Sequence, residues 1–182
     1  MKTDMKSTHQ PLSKPTIAFH WLTGLFFLTV LGLGLYMGEL PKGPEKFEIM
    51  DWHKSLGFAF LFLALSRVVW RLREGQLPSL NEQTTWQDTL AKGIHVFLLL
   101  ATVLMPLSGM MMSIGGGHGL DFFGSELVAA GEKIQWLGGL GHEVHEIGAN
   151  VVILALVLHI AGALKHEYKI KDGLLSRMLG RK

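Results

Sequence analysis

The chain has 182 residues, 48% of them hydrophobic, and its mean hydropathy of +0.30 is high for a water-soluble protein. Its net charge of only +2 gives no indication of nucleic-acid binding. The absence of cysteine excludes disulfides, thiolate metal sites, iron–sulfur clusters and any group attached through cysteine. From the length and the high mean hydropathy we expect one membrane domain over residues 1–182.

Four apolar segments predict an all-α, integral membrane four-helix bundle. Their expected boundaries are about residues 16–37, 53–71, 94–114 and 144–164. The polar residues before the first segment show no cleavable signal pattern, so that segment is expected to be retained as a helix. The second segment spans about 28 Å as a helix, close to the ~30 Å hydrocarbon thickness of a bilayer. Pro106 predicts a kink in the third, which neighbouring helices make tolerable.

Lysine and arginine are distributed unevenly between the two ends of the predicted bundle. Thirteen of them lie before the first segment, between the second and third, or after the fourth, and four lie on the opposite side. The positive-inside rule then predicts a multi-pass membrane protein with both termini in the cytoplasm. The outer face is instead acidic. Its carboxylates are Glu39, Glu45, Glu48, Asp51, Asp121, Glu126 and Glu132.

The longest loop lies on this outer side, between residues 113 and 143. Its glycine-rich stretch, residues 115–119, is not expected to be helical. Residues 120–140 mix apolar and polar side chains, a composition that fits a short helix lying on the membrane surface.

Four histidines, His20, His53, His145 and His159, lie at the ends of these segments. Fourteen residues separate His145 from His159, about 21 Å and nearly four turns of helix, so both imidazoles point to one side. Alternating topology puts His20 and His159 near the inner face, and His53 and His145 near the outer face. Ionisable residues are costly in lipid, so these two depth-matched pairs form a functional-site hypothesis.

Each pair supplies two imidazoles across a gap between helices, which is how cofactor sites in helix bundles are built. Imidazole is a strong iron ligand, and two pairs predict two stacked haems with both axial positions filled, an arrangement that favours electron transfer over oxygen binding. A single histidine at a helix end is more often an interfacial residue, and only the matching by depth and face favours ligation. The second ring nitrogen needs an acceptor, often a backbone carbonyl.

Other polar residues near these pairs have two interpretations each. His142 is an alternative to His145 as ligand, but it lies about 100° from His159 around the helix and is rather expected at the rim. His95 opens the third segment at the inner level, either as an interfacial residue or as a partner for a quinone or a haem propionate. Arg67 and Arg71 belong to the positive-inside signal, and either is also able to bind a propionate of the inner haem.

Small and basic residues near the pairs leave similar alternatives open. Gly24, Gly32 and Gly34 permit the close approach of a porphyrin, or they serve ordinary helix packing. Lys54 directly follows His53 and is placed to bind a propionate at the outer face.

With these features the chain resembles the bacterial cytochrome b561 family, four-helix di-haem proteins of the inner membrane, over nearly its whole length. The resemblance rests on short motifs in all four segments. They are His20-Trp21, His53, Arg67-Val-Val-Trp-Arg71-Leu-Arg73, His95, Pro106-Leu-Ser-Gly109, His145-Glu146, His159 and Lys165-His166-Glu-Tyr168. The family's ligand pattern implies that His20, His53, His145 and His159 bind two b haems.

The residues and the resemblance together predict electron transfer between the membrane quinone pool, of ubiquinone type, and a partner at the outer face. One family member type is superoxide oxidase, which passes electrons from superoxide to ubiquinone, and an activity of this kind is the first alternative. The second is a relay that needs a separate dehydrogenase or periplasmic redox protein. A membrane metal carrier is disfavoured because the four segments have almost no carboxylates at mid-depth. Membrane lipid is the remaining expected partner.

Overall fold

The computed structural model describes residues 11–75 and 86–181, so that Lys2, Lys6 and Lys182 of the predicted charge asymmetry lie outside the described residues. Four long helices dominate it: α1 (Lys14–Glu39), α2 (Pro44–Glu74), α3 (Trp86–Gly115) and α4 (Gln135–Lys165). Strands β1 (Leu120–Phe122) and β2 (Ser125–Val128) lie between α3 and α4, and a π-helical turn (His166–Ile170) and α5 (Leu174–Met178) follow α4. All four long helices are long and apolar enough to cross a membrane, which confirms the predicted all-α, four-helix architecture.

Each long helix extends beyond the apolar segment that predicted it. Ser13 caps α1 by accepting a hydrogen bond from the Thr16 backbone N–H, and Pro15 lies in the first turn. The second helix ends at Gly75, whose φ of 78° is favourable for glycine. As a result His53 and His145 lie well inside α2 and α4, and not in the first turn of each helix. Hydropathy locates the hydrocarbon core, whereas caps and turn residues set where a helix ends.

The outer loop corrects one sequence prediction. Residues 120–128 form an antiparallel β-hairpin and not a surface helix, and α4 begins before the expected stretch ends. Phe123 and Gly124 turn the chain with φ of 48° and 83°, the positive values that a tight hairpin turn requires. The buried Ser55 of α2 fixes this turn by accepting a 3.0 Å hydrogen bond from the Phe123 N–H. Residues 116–119 are not helical, as predicted, but Gly115, for which a non-helical conformation was also expected, is the last residue of α3.

The helices pack closely as three neighbouring pairs, α1 with α2, α2 with α3, and α3 with α4. Within the described ranges, the backbone of α4 makes almost no close approach to α1 or α2. The side chains that are fully buried are few, with Phe60 and Val152 the largest apolar ones. Many large apolar side chains are exposed, as expected for helices that face lipid. The backbone of α4 is therefore separated from those of α1 and α2, and we call the space between them the gap.

Both ends of the described chain meet at one end of the bundle. The Trp21 indole N–H donates a 2.8 Å hydrogen bond to the Met178 carbonyl, which ties α5 to α1. The Glu74 carboxylate at the end of α2 accepts hydrogen bonds from the hydroxyls of Ser13 and Thr16 at the start of α1. We refer to this end as the inner end, and to the end with the hairpin as the outer end; which one faces the cytoplasm stays a prediction.

Candidate functional site: two facing histidine pairs

Two pairs of histidine rings face each other across the gap beside α4. At the inner end, the ring centres of His20 on α1 and His159 on α4 are 6.1 Å apart, with their planes inclined at 55°. At the outer end, the ring centres of His53 on α2 and His145 on α4 are also 6.1 Å apart, with their planes at 89°. Since α4 is a continuous helix between its two histidines, the pairs are separated by about 21 Å along it.

The ring spacing fits two imidazoles that share one metal ion. A metal–imidazole bond is about 2 Å long. Adding about 1.1 Å from each ring nitrogen to its ring centre gives about 6.2 Å across a shared ion when the bonds are collinear. Among residues 11–75 and 86–181, no group of three or more His, Asp or Glu side chains converges as a metal-ion site. Two ligands per site fit a metal that brings its own equatorial ligands, as haem iron does.

The outer pair is oriented through backbone carbonyls. The Nδ1 atom of His53 lies 3.0 Å from the Val30 carbonyl oxygen, and Nδ1 of His145 lies 3.1 Å from the Met105 carbonyl oxygen. A carbonyl oxygen only accepts hydrogen bonds, so Nδ1 carries the proton in both rings and Nε2 keeps its lone pair. This is the acceptor that a haem ligand needs on its second ring nitrogen, and it leaves Nε2 available for iron.

Ser108 adds a second contact to His145 and was not identified from the sequence. Its Oγ lies 3.0 Å from His145 Nδ1 and donates a 2.8 Å hydrogen bond to the Met105 carbonyl, and the residue is only 1% exposed. The hydroxyl therefore accepts from Nδ1 while it donates to the same carbonyl. Ser108 belongs to the motif Pro106-Leu-Ser-Gly109, which was a usable signal although the sequence gave the serine no role.

We expect Ser108→Ala to weaken haem binding at the outer site by about tenfold. This is the lower end of the usual effect of removing a residue that hydrogen-bonds to a ligand, because the Met105 carbonyl still accepts from His145. Titration of the haem-free protein with haemin, followed by absorption, measures the affinity. Ser66→Ala is the matched control, since Ser66 makes the same kind of bond to its own helix, at the Phe62 carbonyl, on an exposed face. Equal affinities of the two variants would contradict a role for Ser108.

The inner end has a third histidine and a half-buried basic group. The ring centre of His95 lies 5.1 Å from that of His159, edge to face, although the His95 side chain is exposed overall. Arg67 lies within electrostatic reach of His20, His95 and His159. Its Nη1 donates a 2.5 Å hydrogen bond to the hydroxyl of Thr23, which is itself completely buried. Thr23 was also missed by sequence reasoning, since a lone threonine in an apolar helix has no distinguishing pattern.

The remaining sequence candidates lie at the margins of these pairs. Arg71 donates a hydrogen bond to the Gly75 carbonyl at the end of α2. Lys54 is 4.0 Å from Asp51 on its own helix. His142 is exposed on α4 beside Glu146, at 3.2 Å, and has no contact with His53. Of the two arginines considered for a propionate, Arg67 is the one that faces the histidines.

Comparison with known proteins extends over almost the whole chain. The family described as prokaryotic cytochrome b561 matches residues 12–181. The chain is 32% identical to cytochrome b561 homolog 2 of Escherichia coli K12 over 179 residues, which cover 90% of this chain and 88% of the relative. It is 28% identical to homolog 1 of the same organism, covering 93% and 97% of the two chains. It is 26% identical to a probable superoxide oxidase of Yersinia pestis, covering 96% and 98%.

Proposed function

The chain belongs to the prokaryotic cytochrome b561 family, and from this membership we propose that it is a di-haem electron-transfer protein of the bacterial inner membrane. As a family member it is a multi-pass membrane cytochrome of b type. The proposed ligands are His20 and His159 for the inner haem, and His53 and His145 for the outer haem. The equal 6.1 Å spacing of the two ring pairs is the observation that carries this proposal.

The histidines determine the type of chemistry. Two imidazoles would hold each haem iron and leave it no position for oxygen, which would favour one-electron transfer. When bound, haem supplies a one-electron carrier near each membrane face. The helices supply an apolar surrounding with little water, and the carbonyls of Val30 and Met105 hold the outer ligands in one tautomer.

Arg67 is the proposed partner of an inner haem propionate. Its charge lies on α2, one of the helices long and apolar enough to cross a membrane, and among the described residues no carboxylate forms an ion pair with it. A half-buried charge in this position is stabilised by a counter-charge, and a propionate would provide one with the bidentate geometry that guanidinium favours. Thr23 holds the guanidinium by accepting a hydrogen bond at its buried hydroxyl.

Arg67→Gln is expected to lower haem affinity at the inner site by roughly 10- to 100-fold, the equivalent of losing a charge-assisted hydrogen bond of about 1.5–3 kcal/mol. The outer site should keep its affinity. Haemin titration, with the two sites resolved by redox potentiometry, measures both. Arg71→Gln is the control, because it removes the same charge from the same helix at a residue that caps the helix end. A loss shared equally by both variants would show that Arg67 acts only through the general charge of α2.

His95 is the proposed partner of the quinone. Reduction of a quinone to a quinol consumes two electrons and two protons, so a proton-exchanging group beside the inner haem ligand is useful there. His95 lies 5.1 Å from His159 at ring centres, and its exposed side gives access from the lipid. The alternative partner, a propionate, predicts altered haem affinity in His95→Gln, whereas the quinone role predicts altered quinone-dependent oxidation with haem affinity unchanged.

Two electron sources at the outer face remain candidates. The role of superoxide as the electron donor is supported by the relative described as a probable superoxide oxidase. A relay from a separate redox protein is supported by the charge at the outer end, where Glu48, Asp51 and Asp121 line a cavity of about 550 Å³. Superoxide is an anion, and a cluster of carboxylates at the entrance slows its approach. We therefore favour the relay.

Rapid mixing of the purified, oxidised protein with superoxide and, separately, with a ubiquinol tests this choice. The relay predicts haem reduction by quinol and slow, salt-dependent reduction by superoxide, with no sustained turnover in the absence of a protein partner. Fast reduction by superoxide, followed by repeated quinone reduction by the protein alone, would identify a superoxide oxidase. Failure of both reductants would contradict the electron-transfer proposal in either form.

A further inference from the structure

The ring of His53 lies against a glycine of the neighbouring helix. A Cβ atom added to Gly34 on α1 would lie 3.0 Å from Cε1 of His53 and 3.3 Å from its Nδ1. The carbonyl that accepts the proton of that same Nδ1 belongs to Val30, four residues earlier on α1. The imidazole thus reaches the backbone of α1 at a place where the next turn of the helix has no side chain.

The same arrangement recurs at the other outer ligand. A Cβ atom added to Gly109 on α3 would lie 3.3 Å from Cε1 of His145 and 3.5 Å from its Nδ1. The carbonyl bonded to His145 is that of Met105, again four residues before the glycine. Two different helices therefore present the same carbonyl–glycine pair, at spacing i and i+4, to the two histidines of one site.

Helix geometry explains the spacing. Residues four apart lie above one another on the same face of a helix. Side chains in a helix point back toward its N-terminus, so the side chain of residue i+4 covers the surface beside the carbonyl of residue i. A Cβ atom at residue i+4 would crowd an imidazole that reaches this carbonyl from outside the helix, by a few tenths of an ångström at the distances seen here, and glycine avoids this crowding.

The inner pair of histidines lacks this arrangement of a carbonyl and a glycine four residues apart. Among the described glycines, none has its Cβ position against the ring of His20 or His159. Gly24 and Gly32, on the same helix as Gly34, have no neighbouring atom within 4 Å of their Cβ positions. Of the three glycines of α1 singled out in the sequence, Gly34 alone has a specific contact with a proposed ligand.

We propose that Gly34 and Gly109 are positioning residues for the outer haem ligands. Each clears the space that lets a histidine Nδ1–H reach the carbonyl four residues earlier, and this contact fixes both the rotation of the ring and the tautomer that presents Nε2 to iron. The near-perpendicular ring planes of the outer pair, at 89°, are the consequence of two such contacts on different helices. The inference rests on the proposed haem ligation.

Gly34→Ala is the direct test, with Gly32→Ala as its matched control two residues away. Alanine is the better helix former, so neither change threatens the helix itself. We expect Gly34→Ala to weaken haem binding at the outer site by roughly 10- to 100-fold, the range for loss of an outer-shell contact. The EPR signal of the outer ferric haem should shift, since it depends on the angle between the ligand planes. Gly109→Ala should have a smaller effect because its contact is looser, and Gly32→Ala should behave as wild type.

A second readout does not depend on bound haem. In the haem-free protein with ¹⁵N-labelled histidine, NMR is expected to find Nδ1 of His53 and His145 protonated, and Gly34→Ala should change the signal of His53 alone. Unchanged haem affinity, EPR spectrum and His53 signal in Gly34→Ala would overturn the inference. An equal loss in Gly32→Ala would also overturn it, because the effect would then be general packing of α1. If wild type binds no haem but the NMR result holds, the haem proposal fails and the positioning contact stands.

Discussion

Replacing His159 with alanine is expected to remove the inner haem and to halve the haem content of the purified protein, from two haems to one. The ring of His159 faces that of His20 at the inner end, and no other imidazole on α4 is placed to substitute for it. With His20 alone left to hold it, an inner haem would lose one of its two protein ligands and would be bound much more weakly. The outer haem should keep its absorption and EPR signals, because its ligands lie about 21 Å away along α4.

A rescue variant separates loss of a ligand from loss of fold. Methionine also ligates haem iron, so His159→Met should regain part of the inner haem, with a higher midpoint potential than the wild-type site. Helix content by circular dichroism should be the same in both variants. Full haem content in His159→Ala would contradict the ligand assignment, and loss of both haems with intact helices would contradict the independence of the two sites.

Replacing His145 with alanine is expected to produce the complementary and functionally larger defect. The outer haem should be lost, and electron transfer between an outer-face reductant and the quinone should fall at least 100-fold, since the remaining carrier lies near the opposite face. Flash or rapid-mixing kinetics in proteoliposomes, with a membrane-impermeant reductant outside, measure this rate. Quinol should still reduce the remaining inner haem.

The matched control for this variant is His142→Ala. His142 lies one turn earlier on the same helix, is exposed and contacts Glu146 rather than His53. It should keep both haems and the full transfer rate. Equal defects in the two variants would mean that both substitutions act by changing the charge or the folding of the outer end of α4. The assignment of His145 as a haem ligand would then fail.

The helices and the histidine pairs were predictable because the signals behind them are local. Hydropathy over about 20 residues identifies a membrane span, and the 14-residue spacing between His145 and His159 follows from the helix repeat alone. With alternating topology, the depth of each histidine then determines which rings meet. The structure places His20 beside His159 and His53 beside His145.

The parts that escaped prediction depend on contacts between distant residues. The hairpin turn at Phe123 requires a positive φ in a bulky residue, which is held there with the help of Ser55 on another helix. Ser108 and Thr23 gain their roles only because His145 and Arg67 lie next to them in space. Gly34 could not be distinguished from Gly32 by sequence, since the difference between them is the ring of His53.

The most direct test of the whole account is the number and type of haems bound by the purified wild-type protein, measured by pyridine haemochrome analysis against amino-acid analysis of the same sample. The account predicts two b-type haems per chain, both low-spin, with two distinguishable EPR signals. A single haem per chain would contradict the pairing at one end of α4. The absence of haem would contradict the function proposed for both histidine pairs.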